Sequence, residues 1–544
     1  MDNLRIRVIL GLELAFAFLM SLPWLVPHTG WTALVGWVPL LILERMATQY
    51  KMKHFFWFHY AAFVLWNAFT TWWVCNATLG GGIFAVLANA LQMSLVVGSF
   101  RWVKRRTSGA LPYIYLAAAW LAWEKYYLTI AQISWPWLVL GNAFADTTSL
   151  VQWYSVTGTL GGSVWVWAAN LSVFGLMVAL SDGRMARWTG KARIAAFAGV
   201  AIALLGPVLW SFGLRFREEG APLKVVIGQP NYDPYEKFES LTQAQQDSRF
   251  LGLLENSGLP VGEPVLVLAP ETFTRQLYTD AIPSSESFLR YQGFLRRHPD
   301  ATFLFGASTY ERVYSPKSPD PCAYDMGKQP DGRHLWILVH NSAAITDTTG
   351  RCGLYHKSKL VVGTELTPYP KFFIPLENLL GGNLMAKDVG QKEISCLPMV
   401  LPEGVALIGP AVCYESVYGE YCTGYVRKGA SLLTVITNDA WWGNTPGYRQ
   451  HFNYSRLRAI ETRRWLARCG NTGISAVIDP CGRVVSRTPW WEPAVLKGEA
   501  QLLESQSFFV RYGDIAGRVG VLLFLLLGAA ALFRPTSNKN NTLR

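Results

Sequence analysis

Charge is scarce in this chain. Asp, Glu, Lys and Arg supply 16% of 544 residues, whereas hydrophobic residues supply 51%. Ordinary soluble domains carry about 25% charged residues, so the composition excludes one. An aromatic share of 14% likewise excludes a disordered chain, which lacks the large apolar side chains that build a core. No Cys-x-x-Cys pair occurs among the 8 cysteines, which argues against a structural zinc site. Internal repeats and low-complexity linkers are missing too. The first apolar run follows Arg5 and Arg7 as a signal peptide would. It has no small-residue cleavage site and further runs follow at once, so it is expected to be retained. Loops 27–30, 76–81 and 131–158 contain no Lys or Arg, so the net charge of +12 sits elsewhere. Its location decides its meaning.

What the chain has in abundance is long apolar runs. Seven occupy the first 215 residues, at 8–26, 31–46, 55–75, 82–100, 110–130, 159–181 and 194–214, and another lies at 515–533. A helix crosses a bilayer core with about 20 apolar residues, so these are expected membrane spans. The connections are basic in alternation, through Arg5 and Arg7; Arg45, Lys51 and Lys53; Arg101, Lys104, Arg105 and Arg106; Arg184, Arg187, Lys191 and Arg193; Arg534, Lys539 and Arg544. The positive-inside rule puts these segments in the cytoplasm and residues 215–514 outside. The external part carries no basic stripe, which excludes nucleic acid as a partner and makes the net charge a record of orientation. Glu13, Glu124 and Lys125 interrupt the runs. Either they mark a functional site, or Glu13 sits at a rim and Glu124 pairs with Lys125. The stretch around Ser134-Trp135-Pro136-Trp137 reads as interfacial or re-entrant, with Trp135, Trp137 and Trp153 as interface anchors.

From Leu223 onward the pattern changes to short β-branched runs at 224–228, 265–268, 302–305, 335–339, 405–408, 432–436 and 474–478. Helical stretches at 240–256, 285–297 and 447–466 alternate with some of them, which predicts a layered α/β domain. Arg458, Glu461, Arg463 and Arg464 read as a salt-bridged helix face. Seven cysteines lie here, an odd number, and sequence alone assigns no pairing. Glu271 follows one strand-like run, Lys357 follows a hairpin, and Cys413 ends another run. A carboxylate, an ammonium and a thiol can therefore converge on one rim of a sheet.

In that order and context, Glu271, Lys357 and Cys413 resemble the Glu-Lys-Cys triad of the nitrilase superfamily. Their setting on many membrane spans resembles the bacterial apolipoprotein N-acyltransferase family. Further matching stretches are Gln229-Pro-Asn231, Leu360–Pro368, Asn438-Asp-Ala-Trp441, Gln450-His451, Arg456–Glu461 and Ser134-Trp-Pro-Trp137. The resemblance implies a polytopic α-helical membrane protein of about eight transmembrane helices. Its extramembrane domain would be an α/β nitrilase-like α-β-β-α sandwich. The expected divisions are an N-terminal transmembrane domain at 1–215, a periplasmic catalytic domain at 216–510, and a last helix with a cytoplasmic tail at 511–544, in a bacterial inner membrane.

The implied reaction is ping-pong transfer of an acyl chain through a Cys413 thioester. A phospholipid is the donor and a diacylated lipoprotein the acceptor, with no cofactor or metal and a monomeric enzyme. Glu271 would be the general base, and Lys357 would favour the thiolate and stabilise the oxyanion. Glu365, Tyr414, Glu415, Trp441 and Phe238 are the supporting or substrate-binding residues. Phe372–Leu376, Leu379-Leu380 and Trp441-Trp442 would be lipid-contacting lids. Departures from the family pattern, at Ala269, Val362-Gly363-Thr364 and Phe238, fall around the acyl pocket. A membrane-anchored amidohydrolase would use the same triad with water as acceptor. A transporter with an accessory domain would need polar residues along the spans, and few are present.

Overall fold

The computed structural model describes residues 3–214, 216–379 and 385–534, without the side chains of 3–5, Phe238 and Asn378. It divides into two compact units, Met1–Arg215 with Tyr512–Arg544, and Phe216–Arg511.

The first unit is helical. Its long helices are Asn3–Leu25, Val38–Gln49, Phe55–Thr71, Leu79–Lys104, Leu111–Thr129, Thr159–Ser181, Gly190–Gly213 and Ile515–Leu532. Among the described residues, five are long and apolar enough to cross a membrane by themselves: Ile6–Leu25, Leu79–Lys104, Thr159–Ser181, Gly190–Gly213 and Ile515–Leu532. The others fall short for visible reasons. The second run breaks into Ala33–Gly36 and Val38–Gln49. Phe55–Thr71 is one residue shorter than Ile515–Leu532, and Leu111–Thr129 dilutes its apolar side chains with Glu124, Lys125 and tyrosines.

Broken backbone in an apolar setting must find partners inside the protein. Buried Asn170 supplies them at the break, accepting from Trp37 N at 2.8 Å and donating to Ala33 O at 2.7 Å. Around it Trp37, Trp120 and Trp167 pack ring on ring, with centroids 4.5–5.9 Å apart. Glu124 does similar work for the short 3-10 turns near residue 140. Its Oε1 accepts from Leu140 N at 2.8 Å and from Trp120 Nε1 at 3.0 Å. Glu124 is therefore not paired with Lys125, whose ammonium faces Asp514 at 3.3 Å. Glu13 is buried in mid-helix rather than at a rim. Trp137 and Trp153 are also buried, so they act as packing residues, and only Trp135 of the three expected anchors keeps partial exposure.

The second unit begins with β1 (Ala221–Gln229), β2 (Val265–Leu268), β3 (Thr274–Tyr278), β4 (Ala301–Ser315), β5 (Tyr324–Lys328), β6 (His334–Thr346) and β7 (Cys352–His356). It continues with β8 (Leu397–Leu401), β9 (Gly404–Val412), β10 (Ala430–Thr437), β11 (Leu466–Gly470), β12 (Ala476–Ile478), β13 (Val484–Arg487) and β14 (Ala494–Leu502). One sheet runs β14-β1-β2-β4-β6-β5, with β3 beside β4 and β7 beside β6, and the other runs β13-β12-β11-β10-β9-β8.

Period-two alternation explains the layers. Val225 and Ile227 join Leu266, Leu268, Ile408 and Val435 in one apolar cluster. Val226, Val265 and Val267 face the other way, onto Phe250, Phe294 and Leu295 of the helices Gln243–Ser257 and Glu286–Arg297. Gly419–Arg427 and Pro446–Thr462 contribute Tyr425, Phe452 and Ala459 to the first cluster. The result is the α-β-β-α sandwich. β1, β2 and β4 run parallel in one sheet, and β9, β10 and β11 in the other. Residues that follow their C-terminal ends share a rim, the usual place for a site in such sheets.

Candidate active site

Glu271 lies three residues beyond β2, in a loop pressed against Gly306 of β4. A Cβ at Gly306 would meet Pro270 O at 2.5 Å and the Glu271 Cα at 2.6 Å, so only glycine lets the loop sit this close. The buried carboxylate accepts from Asn341 Nδ2 at 2.8 Å and Lys357 Nζ at 3.2 Å on Oε1, and from Asn438 N at 3.0 Å on Oε2. Lys357 follows β7, and its backbone N–H donates to Asn341 O at 2.7 Å. Its buried ammonium also meets Glu365 Oε1 at 2.7 Å. Asn341 donates to that same oxygen at 2.8 Å, so one amide of β6 bridges both carboxylates. Cys413 follows β9 directly, in the left-handed region at φ +50. A non-glycine residue there is strained, and such strain concentrates at functional sites.

The electrostatics assign the resting state. Burial pushes Glu271 up, but the Lys357 charge and hydrogen bonds with Asn341 and Cys413 win and hold it below the usual carboxylate range. Burial pushes Lys357 down, but Glu365 and Glu271 hold it well above its ordinary value. For Cys413, burial and the Glu271 charge push the thiol well up, and Lys357 offsets only part of this. At neutral pH the site therefore holds a carboxylate, an ammonium and a neutral thiol. A base in contact with the thiol is needed at the moment of attack, and the Glu271 carboxylate is hydrogen-bonded to that thiol.

The supporting residues divide. Glu365 touches the ammonium and also accepts from Val361 N at 2.8 Å. Glu415 works on backbone instead: it accepts from Val412 N at 2.8 Å, Ser358 N at 2.7 Å, Lys359 N at 3.2 Å and Tyr355 Oη at 2.6 Å. It thus ties the segment after Lys357 to the strand before Cys413. Tyr414 is buried with its ring against Tyr418 at 5.2 Å. Trp441 is partly exposed, its ring 6.0 Å from that of Tyr235. Phe238 falls in the helix Pro234–Glu239, and its side chain lies outside the described residues, as does Leu380.

Sequence reasoning missed several neighbours. Asn341 was signalled by a polar His-Asn-Ser step inside an apolar strand. Lys237 is buried beside the Glu271 loop, donating to Glu271 O at 3.2 Å and Thr272 Oγ1 at 3.1 Å. Burial, only partly countered by Glu271, brings it down to about 7. Asp388 donates its backbone N–H to Glu365 O at 2.9 Å, and burial together with the Glu365 charge raises its carboxyl to about 7.

Cys413, Asp439 and His451 each place one ligand-type atom within 4.8 Å of the others. Asp439 is already held by the Arg468 guanidinium at 2.6 Å, a positive charge that opposes a cation there. The charges of His451 and Arg468 overcome burial and hold its carboxyl down at about 2.

Two family models match the chain. Carbon-nitrogen hydrolase covers residues 324–508, and the apolipoprotein N-acyltransferase N-terminal domain covers residues 16–172. An apolipoprotein N-acyltransferase of Chlorobaculum tepidum is 28% identical over 528 residues, which is 93% of each chain. One from Azotobacter vinelandii is 30% identical over 460 residues, covering 80% of this chain and 76% of the relative. The structure of Saccharomyces cerevisiae Nit3, a member of branch 10 of the nitrilase superfamily, is 15% identical with a TM-score of 0.35, over 53% of this chain and 93% of that one.

Proposed function

The chain belongs to the apolipoprotein N-acyltransferase family, and from that premise we propose that it moves an acyl chain from a phospholipid to the N-terminal S-diacylglyceryl cysteine of a lipoprotein through Cys413. The observation that carries the mechanism is the meeting of Glu271, Lys357, Glu365 and Cys413 on one buried rim. In the first half-reaction Sγ attacks the ester carbonyl carbon while Glu271 takes the thiol proton. The Lys357 ammonium faces the tetrahedral oxyanion. The C–O bond then breaks, Glu271 returns its proton to the departing oxygen, and lysophospholipid leaves a thioester behind. In the second half the α-amino nitrogen attacks the thioester carbon and gives a proton to Glu271. The C–S bond breaks, the thiolate recovers a proton, and an amide is formed. Glu365 keeps Lys357 charged throughout, and Glu415 holds the two loops in register.

The membrane arrangement belongs to the same reading. We place all eight expected runs across a bacterial inner membrane in a monomer, with the basic connections inside and residues 216–510 on the periplasmic side. The alternation of Lys and Arg between connections supports this. Both substrates keep acyl chains in lipid, so apolar surface is required near the site. Phe372 is 66% exposed and Leu379 82% exposed on the helix Pro370–Leu379, as expected of lipid-contacting lids. Excluding water at such a lid protects the thioester from hydrolysis.

The test uses purified full-length protein and phospholipid labelled in its acyl chain. Label should appear on the protein, be released by hydroxylamine, and pass to an added diacylated lipopeptide. Label that persists in Cys413→Ala sinks the mechanism. Discharge by water as fast as by lipopeptide assigns the site to an amidohydrolase instead.

A further inference from the structure

Behind the nucleophile lies a second chain of hydrogen-bonded side chains that the reaction above does not use. Ser416 Oγ is 2.9 Å from His451 Nε2, and His451 Nδ1 is 2.9 Å from Asp439 Oδ1. The order Ser-His-Asp and the spacing match those of a serine nucleophile and its base. Burial rules that use out: Ser416 and His451 are both 0% exposed, so no acyl group reaches the hydroxyl. The chain points instead at backbone. Ser416 Oγ donates to Cys413 O at 2.8 Å, and His451 Nε2 lies 3.1 Å from the same oxygen. A carbonyl oxygen only accepts, so Nε2 carries the proton in that contact.

The ring is aimed from behind. Asp439 Oδ1 also accepts from Thr437 Oγ1 at 2.7 Å, and its Oδ2 accepts from Arg468 Nη2 at 2.6 Å. Arg468 Nη2 is also 3.3 Å from His451 Nδ1 and Nη1 donates to Ile474 O at 2.7 Å, so the carboxylate and guanidinium are both anchored. The Trp442 ring packs edge-on to the imidazole at 5.7 Å. A histidine held this firmly and pointed at the carbonyl of a residue in the left-handed region has one evident task. It stabilises the backbone conformation that the nucleophile would otherwise leave.

We propose that His451, aimed by Asp439 and seconded by Ser416, is the positioning residue of the nucleophile, clamping the Cys413 carbonyl so that Sγ stays directed at Glu271 and Lys357. The proposal rests on Cys413 being the nucleophile of the reading above. Its test therefore includes thiol chemistry that needs no lipid.

The experiment compares His451→Gln with His451→Asn in the full-length protein. A glutamine amide nitrogen reaches the position of Nε2 and can donate to the carbonyl, whereas that of asparagine stops near Nδ1 and cannot. Two rates are measured: alkylation of Cys413 by iodoacetamide, located by peptide mass, and thioester formation from labelled phospholipid in a single turnover. His451→Gln should stay within about 5-fold of the parent in both. His451→Asn should lose about 100-fold in both, the usual cost of a reacting atom displaced by about 1 Å. Half-saturation by phospholipid should be unchanged, because the clamp touches no substrate.

Equal rates for the two variants overturn the proposal, as does a loss confined to the phospholipid half-saturation. Ser416→Ala, a one-atom change that should not threaten folding, is the second variant and should slow alkylation about 5-fold. Unchanged alkylation in it also counts against the clamp. If the parent is alkylated at Cys413 but takes no label from phospholipid, the acyl-transfer reading fails, and alkylation alone decides the clamp.

Discussion

The two units bury polar groups for opposite purposes. In the helical unit several buried polar side chains serve main chain: Asn170 closes the break at Trp37, Glu124 holds Leu140 N, and Tyr154 Oη donates to Gly141 O at 2.8 Å. In the sandwich, buried charges face each other: Lys357 between Glu271 and Glu365, Asp439 against Arg468, and Arg458 against Glu461 at 2.8 Å. An apolar surrounding makes an unmet backbone group costly, so polar side chains that meet such groups stabilise the first unit. The sandwich can concentrate charge at Lys357, Asp439 and Arg458 because each of these faces an opposite charge, and that is where acid–base chemistry becomes available.

The comparison is broken most directly at the triad. Cys413→Ala should abolish hydroxylamine-sensitive label altogether while leaving the thermal unfolding midpoint close to that of the parent. Next, Glu271→Gln should slow thioester formation about 1,000-fold, since removing a positioned base costs 10²–10⁴ in rate. Lys357→Met should cost about as much. Both are read in single-turnover labelling, and a loss under about 10-fold in either would mean that the charges facing each other there are structural too.

Smaller effects are expected in the helical unit. Glu124→Leu leaves the buried Leu140 N–H unmet and should destabilise by about 1–3 kcal/mol, seen as a lower unfolding midpoint in detergent. Glu124→Gln keeps an acceptor and should be near neutral. Neither should alter Cys413 alkylation in folded protein, and a change there would end the division of labour between the units.

The smallest effect sharpens the contrast inside the sandwich. Burial and the Glu365 charge raise Asp388 to about 7 from the ordinary carboxyl value of 3.8, so the folded protein binds more protons than the unfolded chain between those values. Its contribution to stability is full below about pH 4 and is lost as pH rises through 7. Asp388→Asn should therefore raise the unfolding midpoint at pH 8 but barely at pH 4.5. An equal gain at both would assign the effect to packing instead.

Much of the site was legible because its members follow apolar runs that end abruptly: Glu271 after the run 265–268, and Cys413 at the end of the strand that the run 405–408 begins. The rim follows once those runs are parallel strands. Asn341 was not legible as part of the site, and the stretches holding Asp439 and His451 matched the family pattern without showing that the two meet, because what these residues touch lies far away in sequence. β14 was missed because Lys497 and Glu499 break its apolar pattern, as suits a strand with one exposed face. Of the expected helix face of Arg458, Glu461, Arg463 and Arg464, Arg458 and Glu461 form an ion pair. Arg463 and Arg464 turn inward to Pro480 O and Ala430 O, at 3.0 and 2.8 Å, because Arg463 at φ +51 has left the helix. In the first unit, side chains that repair a broken backbone were invisible until the break itself was seen.

The pairing of β1 with β14, residue for residue from Ala221–Leu502 to Gln229–Ala494, has a consequence for biosynthesis. The first strand made in the sandwich gets β2 early, but its outer edge waits for β14, the last of the described strands. At about 5–20 residues per second, that edge stays open for tens of seconds while the intervening chain is synthesised. An open strand edge is a template for wrong partners. The acidic and basic side chains of β14 keep its own surface from pairing indiscriminately, but β1 has only Lys224 to guard it. The time between the first and last strands is thus when this enzyme is most exposed to misassembly.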